Sequence, residues 1–184
     1  LTASLNALPE DAYEAFMGFG VLFTTSSTPE LLSLCTRRSE EETEKALFTL
    51  QKRGLAQRVS EPGSDVVTYR VHDLAYSFAR ANNHYRLATV QQACRQFLER
   101  YRQNFDELDA DISNLVAATQ AAQRASDNAL LIKMVQLLVV GDSAYYTARG
   151  HSQKSFELHK AAAEAAKTLE DFETAHYLIA RLGD

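Results

Sequence analysis

Tryptophan is absent from the 184 residues, and cysteine, methionine, proline and glycine are scarce, at 2, 2, 3 and 7 residues. Cys35 and Cys94 are too few and too far apart for a disulfide framework or a zinc site, so they read as reduced core thiols. No apolar run approaches the ~20 residues that span a bilayer. The longest, Leu137-Leu138-Val139-Val140, is bounded by Gln136 and by Gly141-Asp142. A basic excess is also missing. Residues 1–82 hold 8 Lys and Arg against 11 Asp and Glu, and residues 83–184 hold 11 against 13, which leaves neither half with the charge on which affinity for a phosphate backbone depends. The catalytic signatures G-x-x-x-x-G-K-[ST], G-x-S-x-G, H-E-x-x-H and C-x-x-C do not occur, which argues against an independent enzyme.

What is present is an ordinary globular composition, 46% hydrophobic and 23% charged, in a chain long enough for one sizeable core or two small ones. Its character changes near residues 80–85, so the expectation is two modules, 1–82 and 83–184. The chain opens Leu1-Thr2-Ala3 without an initiating Met or a basic segment and closes Ala180-Arg181-Leu182-Gly183-Asp184 inside a helix pattern; the expectation is a piece of a longer, cytoplasmic protein.

The first module is organised around Val66–Leu74. Val67, Tyr69 and Val71 alternate as in a half-buried strand, and His72-Asp73 stand where strand becomes helix. Asp73 is placed to cap that helix, whose free N–H groups and aligned dipoles attract an anion such as a phosphate. Upstream, Pro9-Glu10-Asp11 starts a helix presenting Tyr13, Phe16 and Met17, Gly18-Phe19-Gly20 breaks it, and Val21-Leu22-Phe23 reads as a short strand or extended segment. Thr28-Pro29-Glu30 opens a helix with Leu31, Leu32, Leu34 and Cys35. Ser39 and Glu42 form a capping box for the next, which buries Thr43, Ala46, Leu47 and Leu50 and ends at a left-handed Gly54. Leu55–Val59 and Val66–Val71 flank the turn Glu61-Pro62-Gly63-Ser64-Asp65 as a hairpin. The order predicts a winged-helix domain with a small β-hairpin wing.

Past Tyr85 only helical stripes remain. Leu87, Val90, Cys94, Phe97, Leu98, Tyr101 and Phe105 form one, and Leu108, Ile112, Leu115, Val116, Thr119 and Ala122 another. A third helix, about 128–149, is apolar on nearly every side. A fourth carries Phe156, His159, Ala162, Ala163 and Ala166, and a fifth carries Phe172, Ala175, Leu178, Ile179 and Leu182. Ser143, Tyr146, Gly150, Ser155 and Ala162 fall at the spacing of a tetratricopeptide (TPR) unit, although the Trp and terminal Pro of its consensus are missing. The predicted fold class is therefore mainly α, a winged helix followed by a TPR-like repeat array.

On Ser4–Pro9, Phe19–Phe23, Leu47–Leu55 and above all Tyr69-Arg70-Val71-His72-Asp73-Leu74, the first module resembles the winged-helix arm of the signal-transduction ATPases with numerous domains (STAND), also called NB-ARC or NLR-type ATPases. Members of that family end the wing with Met-His-Asp; here the triplet is Val71-His72-Asp73. Phe105–Lys167, with Leu108-Asp109 and Asn114–Ala118, is similar to the helical linker and repeat region of bacterial members. The resemblance implies that His72 touches the β-phosphate of ADP held in a neighbouring NTPase domain, and that Asp73 orients and caps the turn. It implies ADP or ATP with Mg in the intact protein and no cofactor in this piece. It further implies a protein or peptide ligand on the repeats and oligomerisation on activation.

The alternative class is a winged-helix, DNA-binding transcription regulator with a helical dimerisation or sensor domain, and a third is a plain helical scaffold. Against DNA stand Glu40, Glu41, Glu42 and Glu44 at the start of the recognition helix, only partly offset by Arg37, Arg38, Lys45, Lys52 and Arg53. His84, His151, His159 and His176 lack ligand-like spacing and read as surface or interhelical residues. Asp109 and Asp111 read as ordinary acids near a helix start. Tyr145-Tyr146 offers a peptide groove or, more simply, interhelical packing.

Overall fold

The computed structural model describes residues 5, 7–60, 65–139, 145–150 and 152–181. The chain is mainly helical, with one three-stranded antiparallel sheet. Helix α1 (Glu10–Phe19) leads to the short strand β1 (Ser26–Ser27), helices α2 (Pro29–Thr36) and α3 (Glu40–Lys52), and the hairpin strands β2 (Ala56–Ser60) and β3 (Val67–Val71). Then follow α4 (Asp73–Asn82), α5 (Leu87–Tyr101), α6 (Phe105–Arg124), α7 (Asn128–Val139), α8 (Tyr145–Ala148), α9 (Ser152–Thr168) and α10 (Phe172–Ala180). No described helix is long and apolar enough to cross a membrane.

Local chemistry sets the helix starts. Thr28 caps α2, its side chain accepting from Leu31 N, with Pro29 at the first helical position. Ser39 and Glu42 complete the capping box of α3 at 3.0 and 3.2 Å, and that helix buries Thr43, Ala46, Leu47 and Leu50 as its stripe predicts. Gly54, at φ 70°, ends it in the left-handed region, with Leu55 N donating back to Leu50 O at 2.9 Å.

The sheet order is β1-β3-β2, so β3 is paired on both sides. The segment Val21–Phe23 is not a strand, and α1 ends within Gly18-Phe19-Gly20, at Phe19 with Gly20 as its C-cap. Gly20, Val21 and Leu22 donate to the carbonyls three residues back, at 3.0, 3.3 and 3.2 Å, while Phe23 N goes to a side chain, so these amides are not left for a ladder. The strand lies a few residues later, where Ser26 and Ser27 pair with Arg70 and Tyr69. The hairpin turn 61–64, the resembling residues Ser4 and Asn6, Ser143 of the repeat spacing, His151 and Leu182 lie outside the described residues.

Helix α5 packs on α2, and α7 is covered by α5, α6 and α9, which accounts for burial of Leu130, Leu131, Ile132, Met134, Val135, Leu138 and Val139. Helices α9 and α10 pack through Ala162, Ala163, Ala166, Ala175 and Leu178. The expected stripes are corrected at Leu87, the first residue of α5, and at Phe156, Phe172 and Ile179, all exposed: in α9 and α10 small side chains bring the helices close, and the large ones lie on outer faces. Cys35 and Cys94 are free and fully buried, and burial pushes both thiols well up.

One polar cluster ties α6 to the loop before α2. Asp111, completely buried, accepts from Thr28 N at 2.9 Å and Thr28 Oγ1 at 2.7 Å through Oδ2, and from Asn114 Nδ2 at 2.8 Å through Oδ1. Asn114 Oδ1 accepts from Phe23 N and Thr24 N, both at 3.1 Å, and its Nδ2 also donates to Ser26 O at 2.9 Å. Asp111 is thus no ordinary helix-start acid. It lies beyond the first turn of α6 and faces inward, where its partners come from a loop 83 residues away in sequence.

Two measurements test this packing. A Cβ on Gly20 falls 2.3 Å from the backbone C and O of Ala79, a clash that only a shift of α4 relieves, whereas one on Gly54 meets nothing but must be held at positive φ. Gly20→Ala is expected to cost about 1–3 kcal/mol or more and Gly54→Ala about 1–2 kcal/mol, read by denaturant unfolding. For Asp111, burial raises the carboxyl to about 6 although the donors of Thr28, Asn114 and Ser27 pull the other way. The folded form therefore keeps a proton that the unfolded chain releases near 3.8, so this group's contribution is complete below about pH 4 and is lost as pH rises through about 6. Between pH 7.5 and 4.5, wild type is expected to gain about 2 kcal/mol of stability relative to Asp111→Asn; equal pH dependence in both proteins removes Asp111 as the cause.

Candidate functional site

The end of β3 is fixed on both faces of the strand. Tyr69 and Val71 point into the core and Arg70 points out, and the register with β2 sets Ala56 opposite Val71 and Gln57 opposite Arg70. On the other edge, Val71 N donates to Thr25 O at 2.9 Å. The next residue, His72, has extended dihedrals (φ −66°, ψ 147°), and its carbonyl takes the first helical bond of α4 from Tyr76 N at 2.8 Å.

His72 is itself the cap. Its Nδ1 accepts from Leu74 N at 3.2 Å, and Asp73, expected as the cap, is the first residue of the helix, an acid in its first turn. The reason is geometric: the capping side chain belongs to the last non-helical residue, and the chain turns helical at Asp73 rather than after it. An Nδ1 that accepts fixes the neutral tautomer with the proton on Nε2, so the ring turns an N–H donor away from the backbone.

Helix α4 is seated firmly behind this cap. Tyr76 Oη donates to Leu22 O at 2.8 Å, Arg80 Nη1 donates to Tyr76 Oη at 2.7 Å, and the Ala79 backbone lies against Gly20. In front of it opens a cleft of about 570 Å³, lined by Gly54, Leu55, Arg58, Arg70, His72 and Asp73 among others. Arg58 and Arg70 are exposed and form no ion pair with any carboxylate among the described residues. Leu74, 69% exposed, stands beside His72. The cleft thus joins two arginines, an imidazole donor and a helix N-terminus, with Asp73 as the acid among them, an arrangement suited to an anion.

The other candidate residues lie elsewhere. His84 approaches Glu14 at 3.4 Å, His176 is on the exposed side of α10, and His159 is buried on α9 with Nδ1 3.0 Å from Ser155 O, where burial lowers its pKa. Asp109 accepts from Tyr145 Oη and pairs with Arg149, so Tyr145 serves packing between α6 and α8, although both Tyr145 and Tyr146 line an apolar groove of about 420 Å³ with Ile112 and Val116. Among the described residues no group of three His, Cys, Asp or Glu is placed to hold a metal. Sequence reasoning missed Arg58 and Arg70. The hairpin register sets Arg58 opposite Tyr69 and Arg70 opposite Gln57, so the two leave opposite faces of the sheet, and both line the cleft near its end. Compared with protein-family models, curated proteins and solved structures, the chain matches none.

The cap can be separated from any ligand role by substitution. His72→Ala is expected to lose about 1 kcal/mol of stability, and His72→Asn, which keeps a capping acceptor, to recover most of it. Thermal or denaturant melts of the three proteins check this; equal loss in both variants overturns the capping assignment.

Proposed function

We propose that this chain is the regulatory and sensor part of a nucleotide-switched ATPase of the STAND (NB-ARC) type. Residues 1–82 act as its winged helix, with β2 and β3 as the wing, and the helices from α5 onward act as a TPR-like array that receives a protein or peptide ligand. In this reading the winged helix closes over ADP, held with Mg by a neighbouring NTPase domain, and the closed state is the resting one.

The observation that carries the reading is the state of His72: Nδ1 is occupied by Leu74 N–H, which leaves Nε2–H as a free donor on a residue that lines an open cleft with Arg58 and Arg70. A terminal phosphate presented by another domain matches those donors and the dipole of α4. The cleft alone is too open to enclose a nucleotide, which agrees with a shared site. Leu74, exposed two residues past His72, would be covered by the closing domain. Direct DNA reading by α3 is disfavoured: Glu40, Glu41 and Glu42 occupy its first turn, and Glu40 already pairs with Arg100 of α5.

Two experiments test the proposal. Calorimetry of this chain with ADP and Mg is expected to show no binding at micromolar concentrations, and a micromolar dissociation constant overturns the shared site. In the longer protein, His72→Asn preserves the cap and removes the Nε2 donor. A charge-assisted bond worth roughly 1.5–3 kcal/mol should then be lost only from the closed state, speeding ADP release about 10- to 100-fold. Because His72→Ala also removes the cap, a fall in its melting temperature decides nothing about the phosphate. An unchanged ADP off-rate in His72→Asn takes His72 out of the switch.

A further inference from the structure

The polar contacts of α6 do more than fasten two segments together, because they end within a few atoms of His72. Asn114 holds Phe23 N and Thr24 N, and its amide donates to Ser26 O; Asp111 holds both the amide and the hydroxyl of Thr28. The one residue between Thr24 and Ser26 is Thr25, and its carbonyl receives Val71 N–H at 2.9 Å. Ser26 and Ser27 then pair with Arg70 and Tyr69. Among the described residues the backbone pairing on this edge of β3 is thus made by a loop held from α6, while the opposite edge belongs to β2.

We propose that Asp111 and Asn114 are positioning residues for the His72 site, coupling the helical segment to the strand end from which His72 projects; the functional part of this inference rests on the nucleotide-switch reading above. Withdrawing Asn114 frees Phe23–Ser26, Thr25 O leaves Val71 N, and the strand end loses the edge that fixes the direction of His72. The ring nitrogen then no longer holds Leu74 N, and His72 loses its fixed direction at the cleft. A ligand that shifts α6 relative to β1 would act on the site through these bonds, and in proportion to its differential affinity for the two arrangements. Buried polar groups suit this role because their bonds are directional, and a partly broken set is costly, so intermediate arrangements are disfavoured.

The test is amide exchange and ring-nitrogen NMR on the chain without nucleotide, so that its outcome is independent of the ADP off-rate experiment. Val71 N–H reports the bond to Thr25, Leu74 N–H reports the bond to His72 Nδ1, and the His72 ring nitrogens report tautomer and hydrogen bonding. In Asn114→Ala, exchange of Val71 and Leu74 is expected to rise at least about tenfold, with a shift of the His72 Nδ1 resonance. Leu138→Ala, a core truncation in α7, is the control: it lowers global stability without touching the loop and is expected to leave Val71 and Leu74 unchanged relative to the amides of α3. Wild-type exchange and ring signals in Asn114→Ala, or equal changes in Leu138→Ala, overturn the proposal. Should Asn114→Ala not fold, Thr24→Val, which removes only the hydroxyl bonded to Ser26 O at 2.8 Å and lying 3.2 Å from Asn114 Oδ1, is expected to raise Val71 exchange about threefold; no change there overturns it as well.

Discussion

A buried carboxylate and a buried carboxamide one helical turn apart organise this molecule. Leaving Asp111 in an apolar interior without partners would be costly, and the loop 23–28 would carry unpaired N–H groups if it were simply packed away. Each solves the problem of the other. The loop supplies donors, α6 supplies acceptors, and Asn114, with a donor on one side and an acceptor on the other, bridges Ser26 O, Asp111 and the amides of Phe23 and Thr24. Contacts between the neighbouring helices α2 and α5 bring the two halves together, but they do not specify a register for the loop. The hydrogen bonds do, and through Thr28 they also fix the first turn of α2.

The same accounting explains the chemistry at His72. A histidine that caps a helix with Nδ1 has one nitrogen committed to structure and one available, and the commitment chooses the tautomer. That is a different device from a free imidazole on a surface. The donor direction is set by the backbone of Leu74 rather than by rotamer preference, so the ring is preorganised and little entropy is lost when an anion arrives. Arg58 and Arg70 add charge from neighbouring strands, and Asp73, the first residue of the helix, moderates it. A histidine-to-alanine change here mixes two effects that only an amide side chain separates.

Much of this was legible in sequence where the cause is local. Thr28-Pro29, the Ser39–Glu42 box, Gly54 and the alternation of Tyr69 and Val71 are decided by residues within a turn of one another, and they stand as expected. The helices and the β2–β3 hairpin follow from the same short-range patterns. What local pattern does not carry is which polar residue is claimed by a distant partner. Asp109 and Asp111 look alike as neighbours in an acidic first half of α6, yet Asp109 bonds Tyr145 and Arg149 at the surface and Asp111 is completely buried. Strand β1 was invisible for a similar reason: Ser26-Ser27 has no strand pattern of its own and is extended because β3 offers a free edge. Phe156, Phe172 and Ile179 were placed inside by periodicity, but periodicity finds an apolar face without saying whether alanines or aromatics sit at its centre.

The seating of α4 limits how any switch built on this site can work. Gly20 lets the Ala79 backbone approach closer than any side chain would permit, Tyr76 is tied to Leu22, and Arg80 is tied to Tyr76. Helix α4 therefore moves with the end of α1, and His72, held by the amide of Leu74, moves with α4. While the β1 edge is in place, ring flipping at the junction would break the cap at the cost of a bond for no gained contact. Motion of the whole unit relative to whatever supplies the anion breaks only the bonds made across the cleft. The element inside this chain that has an alternative is the β1 edge, which is short, paired through only two residues, and dependent on Asp111 and Asn114 for its shape. Rigid seat on one side and conditional edge on the other leave a single soft direction, along the line from α6 through Thr25 to Val71, and that direction ends at the imidazole.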